Sequence, residues 1–340
     1  MLRLPQFGLV SPTSVGEAVE LLAEAGSEAM VIAGGTDLVP NMKHELFTPS
    51  LLVSLAWIEE LRGIETIDGG WLGIGAMTTI EAVAASELVR KRAPCLAQAA
   101  SLIAGPQLRT MGTLGGNVML ETRCQWYNQT YFWRQALGFC LKKDGSLCHV
   151  VEGGRKCVAA ASNDSAPALM TLAAELVVEG PNGSRVVPIN DFWLSDGIFN
   201  KQLEPGEILT CVRIPPTSEG HRGAYGKLRD RGSIDFPLLG VAVRLELDST
   251  GKVEEADVVL TALAARPVRV RKAPECLRGT RPGHADFESA AAGLGQAAYK
   301  QCHPLPNIPG DHEYRKQMIP VYVRRTLLAA AAGTGPVHHL

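Results

Sequence analysis

Cys124, Cys140, Cys148 and Cys157, half of the eight cysteines in this 340-residue chain, fall in one short segment with 15, 7 and 8 residues between successive members. Four thiolates can hold a zinc ion or a [4Fe–4S] cluster. The spacing lacks the closely spaced pair of a zinc ribbon or a bacterial ferredoxin, so spacing by itself leaves the metal open. Buried free thiols are a further reading, although that reading rarely gathers four in a polar stretch containing glycine and lysine. A second kind of chemistry is written in two glycine pairs, IAGGTDL at Ile32–Leu38 and TLGGN at Thr113–Asn117. With no Cβ in the way, backbone N–H groups there can approach a phosphate closely. The hydroxyls of Thr36 and Thr113 add donors beside them. A plain tight turn is the competing reading of each, and neither segment has the spacing of a Rossmann or Walker motif. No acid–base pair or nucleophilic triad stands out, so no catalytic residue is expected on this chain.

The elements that must position these residues read as mixed α and β. Ser14 and Glu17 form a capping box opening a helix that stops at Gly26. AMVIAGGTDL is a buried strand running into the first glycine pair, with Thr36 and Asp37 placed to cap a short helix. LLVSLAWI and WLGIGAMTTI read as further strands, and helices are expected around 80–89 and 94–103. After the cysteine segment, SAPALMTLAAE is helical and LVVEGPNGSRVVPI is a hairpin turning at Asn182-Gly183. The prolines and glycines of RIPPTSEGHRG mark a boundary. Two long strand patterns follow, then helices over 287–302 and 312–331, the second expected to kink at Pro320. No tandem repeat is present.

Composition narrows the setting. An apolar content of 46% with 20% charged residues is that of a globular protein. A formal net charge of -2 gives no electrostatic footprint for nucleic acid or an anionic membrane. No apolar run approaches the ~20 residues needed to span a bilayer, and the N-terminal stretch lacks the apolar core of an export signal. A cytoplasmic location is expected, where structural disulfides are rare.

In order along the chain, IAGGTDL, AGPQLRTMGTLGGN, NDSAPAL and GKLRDRGSIDFPLLGVAV resemble the flavin-binding subunit of the xanthine oxidase (molybdenum hydroxylase) family. The likeness extends to the C-terminal DHEYRKQMIPVYVRRTL. It implies an α+β fold: a two-subdomain FAD-binding domain of the PCMH type over 1–218, divided near 57/58 and carrying an insertion loop at 122–158. A C-terminal α+β domain of the CO dehydrogenase flavoprotein type over 222–330 and a flexible tail over 331–340 complete the expected plan. Carried over residue by residue, Ile32, Ala33, Gly34, Gly35, Thr36, Asp37 and Leu38 stand where the family wraps the FAD diphosphate and its neighbouring sugar. Thr113, Gly115, Gly116 and Asn117 stand at the second glycine turn, and Ala104 at a flavin-contacting position. Asp164 matches an acidic residue that hydrogen-bonds the cofactor, and Lys227 a basic residue that reaches the flavin. Without the resemblance, Asp164 reads as a helix N-terminal acid favoured by the dipole, and Lys227 as a solvated strand charge.

Most flavin subunits of this family have only a short connection where this chain has its cysteine loop. The long version resembles the medium subunit of 4-hydroxybenzoyl-CoA reductase, which implies a [4Fe–4S] cluster on Cys124, Cys140, Cys148 and Cys157. The resemblance then implies an electron-transfer subunit with FAD and the cluster, taking electrons from reduced ferredoxin for dehydroxylation of 4-hydroxybenzoyl-CoA on another chain. The implied partners are a small [2Fe–2S] subunit and a large molybdopterin subunit in a dimer of heterotrimers, with neither nucleic acid nor membrane. An oxidative hydroxylase or dehydrogenase of the same family, and a flavin-free scaffold with a structural cluster, are the alternatives. Trp126, Tyr127, Tyr131, Phe132, Trp133 and Phe139 are expected to pack the loop against water, and Cys95, Cys211, Cys276 and Cys302 to pack cores.

Overall fold

The computed structural model describes residues 2–338. Three sheets organise the chain. The first is small and parallel, with β1 (Gly8–Val10) and β2 (Ala29–Ile32) on either side of β3 (Leu51–Ser54). Parallel strands of one sheet need a crossover, and the helix Val15–Ala25 carries the chain from β1 to β2, on the far side of β3. Its apolar face, Val15, Ala18, Val19 and Leu22, follows helical spacing and is buried beside Val53 and Leu55. The Ser14 hydroxyl accepts from Glu17 N at 3.2 Å, and Gly26 ends the helix at φ +54°.

The second sheet is antiparallel, in the order β4 (Ile64–Thr66), β5 (Leu72–Gly75), β8 (Ile208–Ile214), β6 (Glu175–Gly180), β7 (Gly183–Pro188). The β6–β7 hairpin turns at Pro181-Asn182, between the paired Gly180 and Gly183 and one residue before the expected Asn182-Gly183, with Gly183 at φ +98°. Helices Ile80–Ala85, Glu87–Arg92, Pro94–Ser101 and Ser165–Thr171 bury their apolar residues in one core with this sheet.

The third sheet runs β12 (Val268–Arg269), β11 (Val253–Thr261), β10 (Leu239–Leu247), β9 (His221–Leu228), all antiparallel. Side chains alternate across a strand. Here Val241, Val243 and Leu245 enter one core with Phe287, Leu294, Ile319 and Val323 of helices Ala285–Gln301 and His312–Ala332. Tyr225, Ala242 and Val259 point the other way, into the core of the second sheet. Burial on both faces explains why these strands read as nearly continuous apolar runs.

The helix His312–Ala332 is one element with Pro320 inside it. One expectation changes. The tail is pinned: Val337 exchanges backbone hydrogen bonds with Tyr225 and Lys227 on β9 at 2.9 and 2.8 Å. Residues 339 and 340 of the expected loose tail lie outside the described residues. Among the described residues, no helix is long and apolar enough to cross a membrane.

Candidate functional site

β2 is an edge strand, and it runs directly into the first glycine turn. Every residue from Ala29 to Val39 is half-buried, Ile32, Ala33, Gly34, Gly35, Thr36, Asp37 and Leu38 among them. Among the described residues, the amides of Gly34, Gly35, Thr36 and Asp37 make no backbone hydrogen bond within the chain. Gly35 sits at φ +69°, a conformation that glycine adopts without penalty. Gly34 has a different reason: a Cβ there would fall on the Met111 carbonyl. The two glycine segments, distant in sequence, are therefore packed backbone to backbone. A Cβ on Gly112 would likewise stand 3.3 Å from the Thr36 hydroxyl.

The second turn is held more tightly. Leu114 N donates to Thr78 O and Gly115 N to Ala76 O, both at 2.9 Å. Thr113 caps the short helix Leu114–Val118 by accepting from Gly116 N at 3.1 Å. A Cβ on Gly115 would stand 2.7 Å from that of Ala76, whereas Gly116 is exposed. Asn117 Oδ1 accepts from Ser165 N at 3.1 Å and from the Ser165 hydroxyl at 2.6 Å, tying this turn to the helix Ser165–Thr171. Ala104 takes φ +47°, and its carbonyl accepts from Ile234 N at 2.9 Å. Ile234 is itself at φ +57°, rare for a β-branched residue, so two strained residues brace each other where β9 leads into β10.

Asp164 and Lys227 meet. Lys227 Nζ lies 2.9 Å from Asp164 Oδ2 and donates to Leu102 O at 2.9 Å, while the Tyr225 hydroxyl donates to Asp164 Oδ1 at 2.8 Å. Lys227 is 0% exposed, which corrects its reading as a solvated strand charge. Asp164 stands at a helix N-terminus but makes no side-chain cap; its carboxylate turns inward to the lysine. Burial pushes that carboxyl above its ordinary range, against the pull of Lys227 and Tyr225.

The four loop cysteines converge. All are free thiols, and all four line a single small cavity together with Trp126, Tyr127, Lys142 and His149. Burial pushes the Cys124 thiol up to about 12, and the thiols of Cys157, Cys140 and Cys148 raise it further by like-charge repulsion. Cys157 is raised by burial as well. Among the described residues no group of three or more His, Cys, Asp or Glu is gathered closely enough to hold a metal ion. A lone zinc with Zn–S bonds of about 2.3 Å would need such a gathering.

The aromatic shell is partial. Tyr127 is buried, and Trp126 stacks near His149 and Trp133 with centroids 5.6 and 6.0 Å away. Phe132 is 80% exposed, and Tyr131 and Trp133 are also exposed, so the expectation that all six shield the loop fails for the outer face of the helix Tyr131–Ala136. Cys95 and Cys302 are buried in cores as expected, whereas Cys211 and Cys276 are half-buried.

Ion pairs that the sequence did not announce tie the loop to its surroundings. Arg123, next to Cys124, pairs with Asp37 of the first glycine turn and lies 4.2 Å over the Phe236 ring. Lys142 Nζ lies 3.0 Å from Glu121, which also receives Lys201 at 3.0 Å. Burial pushes the Glu121 carboxyl up, but the two ammonium groups outweigh it and hold it below its usual range.

Comparison with known proteins fits this architecture. Residues 5–217 match the family described as the FAD binding domain in molybdopterin dehydrogenase, and 223–330 the CO dehydrogenase flavoprotein C-terminal domain. The chain belongs to the FAD-binding medium subunits of the xanthine oxidase and CO dehydrogenase family. It is 34% identical to the carbon monoxide dehydrogenase medium chain of Hydrogenophaga pseudoflava, over 96% of this chain and 98% of that one. It is 27% identical to the xanthine dehydrogenase FAD-binding subunit of Escherichia coli O157:H7, over 95% of each. A solved structure of the Hydrogenophaga pseudoflava dehydrogenase, lacking the Mo-pyranopterin moiety of its cofactor, superposes with a TM-score of 0.79 at 32% identity, covering 98% of this chain and all of that one. These relatives are dehydrogenase subunits; they do not show the more specific likeness to a reductase that the cysteine loop suggested.

Proposed function

We propose that this chain is the FAD-containing electron-transfer subunit of an oxidative molybdenum hydroxylase or dehydrogenase complex. Likeness to dehydrogenase flavin subunits along nearly the whole chain carries this reading. The fit of FAD rests on the first turn, where consecutive amides from Gly34 to Asp37 make no backbone bond of their own and no Cβ covers the glycines. Successive free N–H groups make an anion-binding concavity suited to a diphosphate. Ile32 to Leu38 would then hold the diphosphate and its sugar, Thr113 to Asn117 the second side of the cofactor, and Ala104 the flavin. The Lys227–Asp164 pair would fix a polar boundary beneath it. FAD supplies the exchange of electron pairs for single electrons, and the protein supplies placement and tuning. In this reading the partners are a small [2Fe–2S] subunit and a large molybdopterin subunit, and the substrate is bound on the latter.

One observation favours a second reading. Four free thiols lining one cavity are the ligand set of a [4Fe–4S] cluster on Cys124, Cys140, Cys148 and Cys157. A cluster on this subunit suits electrons arriving from a low-potential donor such as ferredoxin, for reductive removal of the hydroxyl of 4-hydroxybenzoyl-CoA. The two directions are separated by assaying the purified complex both ways. Reduction of a dye acceptor by an aromatic or heterocyclic substrate, with no benzoyl-CoA formed from 4-hydroxybenzoyl-CoA under reducing conditions, is the result expected of the first reading. Benzoyl-CoA formation would replace it with the second.

A further inference from the structure

The charge buried at the cysteine cavity does not cancel. Lys142 and Lys201, whose side chains are 5% and 10% exposed, share one carboxylate, that of Glu121. Two cations on one anion leave a surplus positive charge, and neither ammonium has another acidic partner among the described residues. A buried charge calls for compensation nearby, because little water is there to solvate it.

The surplus stands among residues that flank the thiols. Lys142 follows Cys140 by two positions and lines the same cavity as the four cysteines. Its Nζ donates to the Thr122 hydroxyl at 2.8 Å, two positions before Cys124. It also donates to Gly197 O at 2.5 Å. Gly197 N in turn donates to Cys157 O at 2.9 Å, and a Cβ on Gly197 would stand 2.7 Å from Cys157 Sγ. The ammonium, 5.0 Å from the centroid of the Tyr127 ring, is thus fixed by segments flanking Cys124, Cys140 and Cys157.

We propose that Lys142, braced by Glu121 and Lys201, is a positioning residue for the iron–sulfur site: it clamps the loop and supplies the fixed positive charge that stabilises the reduced cluster. The proposal rests on reading the four thiols as a [4Fe–4S] site. Four thiolates give such a site a net negative charge, and one-electron reduction adds another. A fixed cation in a low-dielectric setting stabilises the reduced form more than the oxidised form, and so raises the midpoint potential.

The test is a dithionite titration of the purified complex, with redox mediators, followed by EPR of the cluster. Lys142→Met should keep its FAD while the reduced-to-oxidised ratio at a given potential falls about tenfold, a shift of ~59 mV to lower potential for a one-electron couple. Lys142→Arg, which retains the charge, should stay near the wild-type potential. An unmoved potential in an iron-replete Lys142→Met complex overturns the assignment. If Lys142→Met fails to hold iron, Lys201→Met decides, since it removes the surplus charge without touching the loop. A lowered potential there supports the assignment and a wild-type potential overturns it. A wild-type complex with no [4Fe–4S] signal sinks the cluster reading and the assignment with it; a signal whose potential ignores both lysines sinks the assignment alone.

Discussion

Gly34 and Gly35 are adjacent, yet they are glycines for different reasons, and their substitutions should separate. At Gly35 an added Cβ would stand 3.4 Å from side-chain atoms of Ile32 and Val39, an ordinary contact, so the cost is conformational. Holding alanine near φ +69° costs about 1–2 kcal/mol. Gly35→Ala should remain folded with a melting temperature a few degrees lower. Gly34→Ala should instead force the two turns apart at Met111 and reduce bound FAD to a trace. Flavin absorbance after gel filtration checks both, and full flavin in Gly34→Ala would mean the diphosphate is held elsewhere. The Asp164–Lys227 pair makes a second residue-scale prediction. Removing either partner alone, by Asp164→Asn or Lys227→Met, should cost about 3–5 kcal/mol, because an uncompensated group stays buried. The double variant should be more stable than the sum of the singles implies, and additive losses in urea unfolding would contradict direct coupling.

Among the elements, the cysteine loop separates what sequence conveys from what it hides. Cys148→Ala should remove about four iron atoms per chain, the content of one Cys₄ cluster. FAD should remain, because the glycine turns lie outside the loop. Phe132→Ser, on the exposed face of the helix Tyr131–Ala136, should change stability by less than about 0.5 kcal/mol. Iron analysis and thermal melts test the pair, and iron retained in Cys148→Ala would remove that cysteine from the ligand set. Local signals were legible: the capping box at Ser14, the stop at Gly26 and, to within one residue, the hairpin turn after Gly180 each depend on a few consecutive residues. So was the clustering of thiols. The exposed helix face was not, because an aromatic run has no helical spacing that separates inside from outside. Nor were the pairs that span long separations, Asp164 with Lys227, Arg123 with Asp37 and Glu121 with Lys201. A lysine on a strand looks solvated until the fold places its carboxylate beside it.

At the scale of the whole molecule, a short connection links the second glycine turn to the thiol cavity. The second glycine turn ends at Asn117, Glu121 gathers the two lysines, Arg123 reaches back to Asp37, and Cys124 opens the cavity. No histidine or cysteine occurs between Ile32 and Leu38 or between Thr113 and Asn117. FAD should therefore be held without a covalent bond and pass into the supernatant when the complex is precipitated with acid. Colour remaining in the pellet would contradict that. The proposal that FAD and a [4Fe–4S] cluster share this subunit is tested most directly by low-temperature EPR of the dithionite-reduced complex, wild type against Cys148→Ala. The account predicts a [4Fe–4S] signal in the wild type that is missing from the variant, with FAD content equal in both. Identical spectra, or stoichiometric zinc on the chain in place of the additional iron, would contradict it.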